Sequence, residues 1–86
     1  MSTEASSAAP PKHSAEKLVY MANQIGKFFA SQGAEQAVAG TASHIRQFWD
    51  PRMRAAIFAH LDSGGVGLDP PVRQAIESLK NAAAQA

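Results

Sequence analysis

The side chains of this sequence whose chemistry could reach beyond packing are few. They are His13, His44 and His60, the loop aspartates Asp62 and Asp69, and Arg46, Arg52 and Arg54 around Trp49. Histidine is the residue most readily used as a general base or metal ligand near neutral pH. The three here lie far apart and show none of the paired spacings that zinc favours, and there is no cysteine to add a thiolate. Asp62 and Asp69 bracket "SGGVGL", where capping and solvation are the ordinary roles of a carboxylate, and no second carboxylate shares a helical face with either for acid–base work. "SGGVGLD" has neither the preceding strand nor the spacing of a phosphate-binding loop. No base, nucleophile or metal partner can be named for His44 or His60. The expectation is a chain without catalytic, cofactor-binding or metal-ligating residues, not an enzyme by itself.

The arginines pose a sharper question. "HIRQFWDPRMR", residues 44–54, sets an Asp-Pro step after two aromatics and then two arginines where a helix should start. A helix N-terminus carries roughly half a positive charge, and a cation there costs about 0.3 to 1 kcal/mol. On a helical wheel Arg54 falls between Leu61 and Phe58, inside the apolar arc, whereas Arg52 falls outside it. Arg52 is thus placed to pair locally or to face water. Arg54 should lay its stem along apolar surface and send its guanidinium to a carboxylate, carbonyl or phosphate at the edge. Trp49 belongs to a core arc, yet Trp and Arg also dominate interface hot spots. The expected contact surface comprises Tyr20, Phe28, Phe48, Trp49, Arg52, Met53 and Arg54, with Arg54 reaching an acceptor on a partner.

The elements that position these residues are helical throughout. Residues 1–13, rich in Ser, Ala and Pro, read as a mobile tail, and 14–86 as one helical domain. Ser14 is a natural N-cap with Glu16 in the first turn, and Leu18, Met21, Ala22, Ile25, Phe28 and Phe29 recur at helical spacing up to a stop at Gly33. A second helix repeats the pattern with Val38, Thr41, Ala42, Ile45, Phe48 and Trp49. "MANQIGKFF" and "TASHIRQFW" align without gaps at an offset of twenty, so an antiparallel hairpin should turn both Ile-x-x-Phe-aromatic edges into one core. Asp50-Pro51 closes the second helix and opens the third, which carries Met53, Ile57, Phe58 and Leu61 to Gly64-Gly65. Asp69-Pro70 repeats the device before Val72, Ile76, Leu79 and Ala83, with Arg73 and Glu77 as an outside pair. The expected fold is all-α, a bundle of three to four helices at about 15–32, 34–49, 51–62 and 70–84.

Size and charge narrow the setting. A domain this small buries only about 60% of its unfolded surface, so a partner chain is a natural support. The first helix has apolar residues over about half its circumference, more than one neighbour can cover. Eight basic against seven acidic residues, a net charge of +1, give no footprint for nucleic acid. The N-terminus resembles neither a secretion signal nor a transit peptide, and no window has the apolar length of a membrane span. A soluble cytoplasmic protein is expected.

"LVYMANQIGKFF", "HIRQFWDPRMR" and "HLDSGGVGLDPPVRQAI", in this order and spacing, resemble the delta subunit of the NAD-dependent formate dehydrogenases that contain molybdenum or tungsten. The resemblance covers roughly residues 16–80, with Pro71 standing where a larger apolar residue is usual. It implies a cytoplasmic complex that oxidises formate to CO2 and reduces NAD+. The large subunit of that complex carries a metal–pterin cofactor and iron–sulfur clusters, and others carry FMN and further clusters. The delta subunit would hold none of these and would serve assembly, stability or cofactor maturation. Two other classes remain open on the residues alone. One is a helix-turn-helix nucleic-acid binder using helices two and three, with Arg46, Arg52 and Arg54 on phosphates. The other is a small homo-oligomer covering its own apolar face.

Overall fold

The computed structural model describes residues 14–85, so the expected tail at 1–13 lies outside the described residues. Four helices follow one another: α1 (Ala15–Ala30), α2 (Ala34–Phe48), α3 (Pro51–Asp62) and α4 (Pro70–Gln85). The described residues form no strand. The all-α expectation holds, with helix ends moved by one or two residues.

The starts follow from capping chemistry. Ser14 Oγ accepts from the Lys17 amide at 3.3 Å, and Asp50 Oδ1 accepts from the Met53 amide at 2.9 Å. Each satisfies one of the amides that a helix N-terminus leaves without a partner. Pro51 and Pro70 occupy first helical positions, as expected. The first helix ends earlier than 32 because Ser31 turns back: its hydroxyl donates to the Phe28 carbonyl at 2.8 Å, and the Gln32 and Gly33 amides close tight turns onto Phe29 and Ala30. Gly33, read as the stop of the first helix, is the N-cap of α2, at φ 118° where other residues are strained.

The core gathers Leu18 and Ala22 of α1, Ile45 and Trp49 of α2, Ile57 of α3, Leu68, and Val72, Ile76 and Leu79 of α4. α1 packs chiefly on α2 and also touches α3 and α4, while α2 has α4 on its other side. Three neighbours therefore account for most of the wide apolar arc of α1. Gly26 is buried there because α4 comes in directly: a Cβ at this position would collide with Val72 Cγ2. Thr41, fully buried in α2, has an Oγ1 with no hydrogen-bond partner. Ala83, expected on the apolar stripe of α4, is exposed, and Ala75 is buried in the stripe instead.

Two expectations about pairing are corrected. Arg73 does not pair with Glu77 but reaches back to the loop after α3, where Nη2 donates to the carbonyls of Gly64 at 2.7 Å and Gly65 at 3.2 Å. The last turn of α3 is tied to α4 by Lys80 and Asp62 at 3.3 Å, an exposed pair of small energetic weight. Asn23 of α1 clamps the same loop. Its Nδ2 donates to the Gly67 carbonyl at 2.9 Å and its Oδ1 accepts from the Asp69 amide at 3.0 Å. His60 Nε2 of α3 is bonded to the Val66 carbonyl at 2.8 Å, so the seven loop residues become a fixed corner whose polar groups are held by α1, α3 and α4.

Candidate interaction surface

The seven residues expected at a contact surface separate into two places. Trp49 is 4% exposed and belongs to the core, and Met53 packs half-buried against it. Arg54 is half-buried beside them, and its Nη1 donates to the Trp49 carbonyl and, at a long 3.5 Å, to that of Arg46. These are carbonyls of the last turn and C-cap of α2, which the helix itself leaves without donors. The charge at the start of α3 is therefore compensated by the negative end of α2. Arg54 thus finds carbonyl acceptors within its own chain, where the abrupt Trp49-Asp50 connection brings one helix end against the other. Arg52 is exposed on the first turn of α3.

The remaining three face solvent. Tyr20, Phe28 and Phe48 are 64%, 64% and 69% exposed, against an expectation that the aligned Phe28 and Phe48 both enter the core. The reason is rotational. In each helix the buried arc centres on smaller residues, Leu18, Ala22 and Gly26 or Ala37, Thr41 and Ile45, and the phenylalanine lies at its margin. The hairpin thus presents an aromatic surface. Phe28 meets Phe29 edge-on with centroids 5.0 Å apart, and the His44 ring lies 4.8 Å from that of Phe48.

Two adjoining grooves run between α1 and α2 on this side and share Phe29 and His44. One, of about 310 Å³, is lined also by Gln24, Ile25 and Phe28. The other, of about 330 Å³, continues along α2 past Gly40, Ser43, Gln47 and Phe48. Gly40 is required because the Phe29 ring lies where a Cβ would be. The polar groups at the edge partly satisfy one another: Gln24 Nε2 donates to the Tyr20 hydroxyl at 2.8 Å, and Gln47 Nε2 to Ser43 Oγ at 2.8 Å. Open, shallow and without a set of convergent titratable groups, this surface suits contact with another macromolecule better than chemistry on a small substrate. Phe29, Gly40 and His44 were not singled out from sequence as contact residues; the repeated Ile-x-x-Phe spacing was the available signal.

Residues 17–76, from α1 into α4, match the model of the NADH-dependent formate dehydrogenase delta subunit family, FdsD. The chain belongs to this family. No curated protein and no solved structure matches it. The match spans both helices that form the aromatic surface, together with the Trp49–Arg54 corner and the clamped loop. Delta-subunit membership places these features in a protein named as one subunit of a formate dehydrogenase. Among the described residues no group of three or more His, Cys, Asp or Glu is arranged to hold a metal ion. No described helix is long and apolar enough to cross a membrane.

Proposed function

We propose that the chain is a non-catalytic accessory subunit of a cytoplasmic NAD-dependent formate dehydrogenase, which converts formate and NAD+ to CO2 and NADH. It supports assembly, stability or cofactor maturation of the metal–pterin large subunit. The observation that carries this reading is the family match over residues 17–76. The exposed aromatic surface of α1 and α2 supports it, because a hydrophobic patch of this kind on a small domain marks a contact with another chain. The contact joins the chain to the large subunit and, through it, to the FMN and iron–sulfur subunits.

In this reading the metal–pterin, iron–sulfur and FMN groups belong to the partners. Iron–sulfur clusters are held mainly by thiolates, and the chain contains no cysteine. The two grooves between α1 and α2 are lined by no Lys or Arg side chain that would meet a pterin or flavin phosphate.

A helix-turn-helix nucleic-acid binder is disfavoured by the geometry. Such a motif packs two helices across a turn of three to four residues, whereas α2 and α3 are joined only by Trp49-Asp50 and barely touch. Arg54, one of its three proposed phosphate ligands, is engaged with α2 carbonyls.

Co-expression with the neighbouring genes tests the assignment. The chain should co-purify in fixed stoichiometry with a flavin- and metal-containing formate dehydrogenase. Recovery only with the immature large subunit would make it a maturation factor. Omission of its gene without effect on yield, metal content or activity of the complex would refute the reading.

A further inference from the structure

The hairpin of α1 and α2 has two sides. On one, α4 fills the trough, with Val72 pressed onto Gly26 near Thr41. On the other, the trough formed by the two grooves is open. The α2 wall there is built of small or neutral residues, Ala39, Gly40 and Ser43, so another backbone can come close. Phe28 and Phe48 stand exposed on its α1 and α2 sides. Such a trough has the shape of a helix, since packed helices lie about 8 to 10 Å apart and set side chains into each other's grooves.

Exposed lysines stand on the α1 side of this trough. His44 is the only titratable group lining either groove. Along the exposed edge of α1 stand Lys17 and Lys27, spaced at whole turns with Tyr20 and Gln24. Glu16, the one carboxylate of α1, is exposed in its first turn, and Glu35 is exposed at the start of α2, one turn before Ala39.

We propose that this trough receives an amphipathic helix of a different polypeptide, a partner subunit. Its apolar stripe lies between Phe28 and Phe48, and its α1-side edge carries carboxylates opposite Lys17 and Lys27. The proposal rests on the accessory-subunit reading and specifies the contact. The incoming helix does on the open side what α4 does on the closed one, and the hairpin becomes the middle layer of a bundle shared by two chains. A second copy of this chain fits less well. An isologous contact sets the same face against itself, so Lys17, Lys27 and Arg46 of each copy would have only Glu16 and Glu35 of the other to meet.

Photo-crosslinking in the assembled complex tests this. A benzophenone amino acid replaces Phe28 or, separately, Phe48 in the full chain, co-expressed with the other subunits, and the crosslinked peptides are sequenced. Both positions should reach one segment of another chain, with attachment points one or two helical turns apart and carboxylates interleaved. Phe28→Ala should weaken retention about tenfold or more without lowering the melting temperature of the free chain. Lys17→Glu combined with Lys27→Glu should weaken it about two- to tenfold, an effect that fades by about 0.5 M salt. If the chain stays in the complex but the two positions crosslink to nothing beyond it, the trough is not the interface, and the subunit reading stands without it. Crosslinks to a second copy, or to a segment that is basic or not helical, overturn the proposal in the same way. Failure of the unmodified chain to join any complex overturns both.

Discussion

Replacing Arg54 by alanine removes the donor that ties the start of α3 to the end of α2. Two opposing effects follow. The cation leaves the positive end of α3, a gain of about 0.3 to 1 kcal/mol. The Trp49 and Arg46 carbonyls lose their charged donor, and a hydrogen bond to a charged group contributes about 1.5 to 3 kcal/mol. The bond to Trp49 is the main one, since the Arg46 contact is long at 3.5 Å. The stem of Arg54 also covers apolar surface beside the half-buried Met53. The loss outweighs the gain, and Arg54→Ala should destabilise the isolated chain by about 1 to 2 kcal/mol, or roughly 5 to 15 °C in Tm for a domain of this size. The assay has a built-in reporter, because Trp49 is the only tryptophan and is 4% exposed. Its emission in the native state should shift to the red in Arg54→Ala as water reaches the corner. Arg54→Lys should recover part of the stability, since an ammonium reaches one carbonyl but lacks the fork. A melting temperature equal to or above that of the unmodified chain, with the emission unchanged, would refute the bridging role of Arg54.

Thr41→Val should raise stability by about 0.5 to 1.5 kcal/mol in thermal melting, because the buried Oγ1 has no partner to lose. A destabilised variant would mean that the hydroxyl is bonded in solution. Gly26→Ala gains up to about 1 kcal/mol in helix propensity but drives a methyl into Val72 of α4, at a cost of about 1 to 3 kcal/mol. The expected sum is a lower melting temperature, and a higher one would show that α4 can withdraw freely from α1. Asn23→Ala removes both clamps on the loop and should cost about 1 to 2 kcal/mol after its helix-propensity gain. Hydrogen exchange at the Asp69 amide should then quicken relative to amides of the core helices, and unchanged protection would show that the clamp is dispensable.

Formate dehydrogenase delta-subunit membership, the helical fold and the helix starts were all legible along the chain, because each rests on near neighbours in sequence. Ser14 caps through Lys17, Asp50 caps through Met53, and Pro51 and Pro70 open helices wherever they are placed in space. The apolar period identified Leu18, Ala22, Ile45, Ile57, Val72 and Ile76 as inward for the same reason: each sits at the centre of its stripe, where small rotations of the helix do not expose it. Residues at the margin of a stripe are another matter. Phe28 and Phe48 occupy the same place in an aligned motif as residues that looked internal, and the angle at which α1 and α2 meet decided that both face water. Arg54 and Arg73 were equally undetermined. A long cation finds the nearest concentration of bare carbonyls, and only the folded chain brings the end of α2 or the loop after α3 within reach. Local capping and periodicity are properties of the sequence, whereas the partner of a flexible charge and the exposure of a marginal aromatic depend on distances that exist only once the helices have packed.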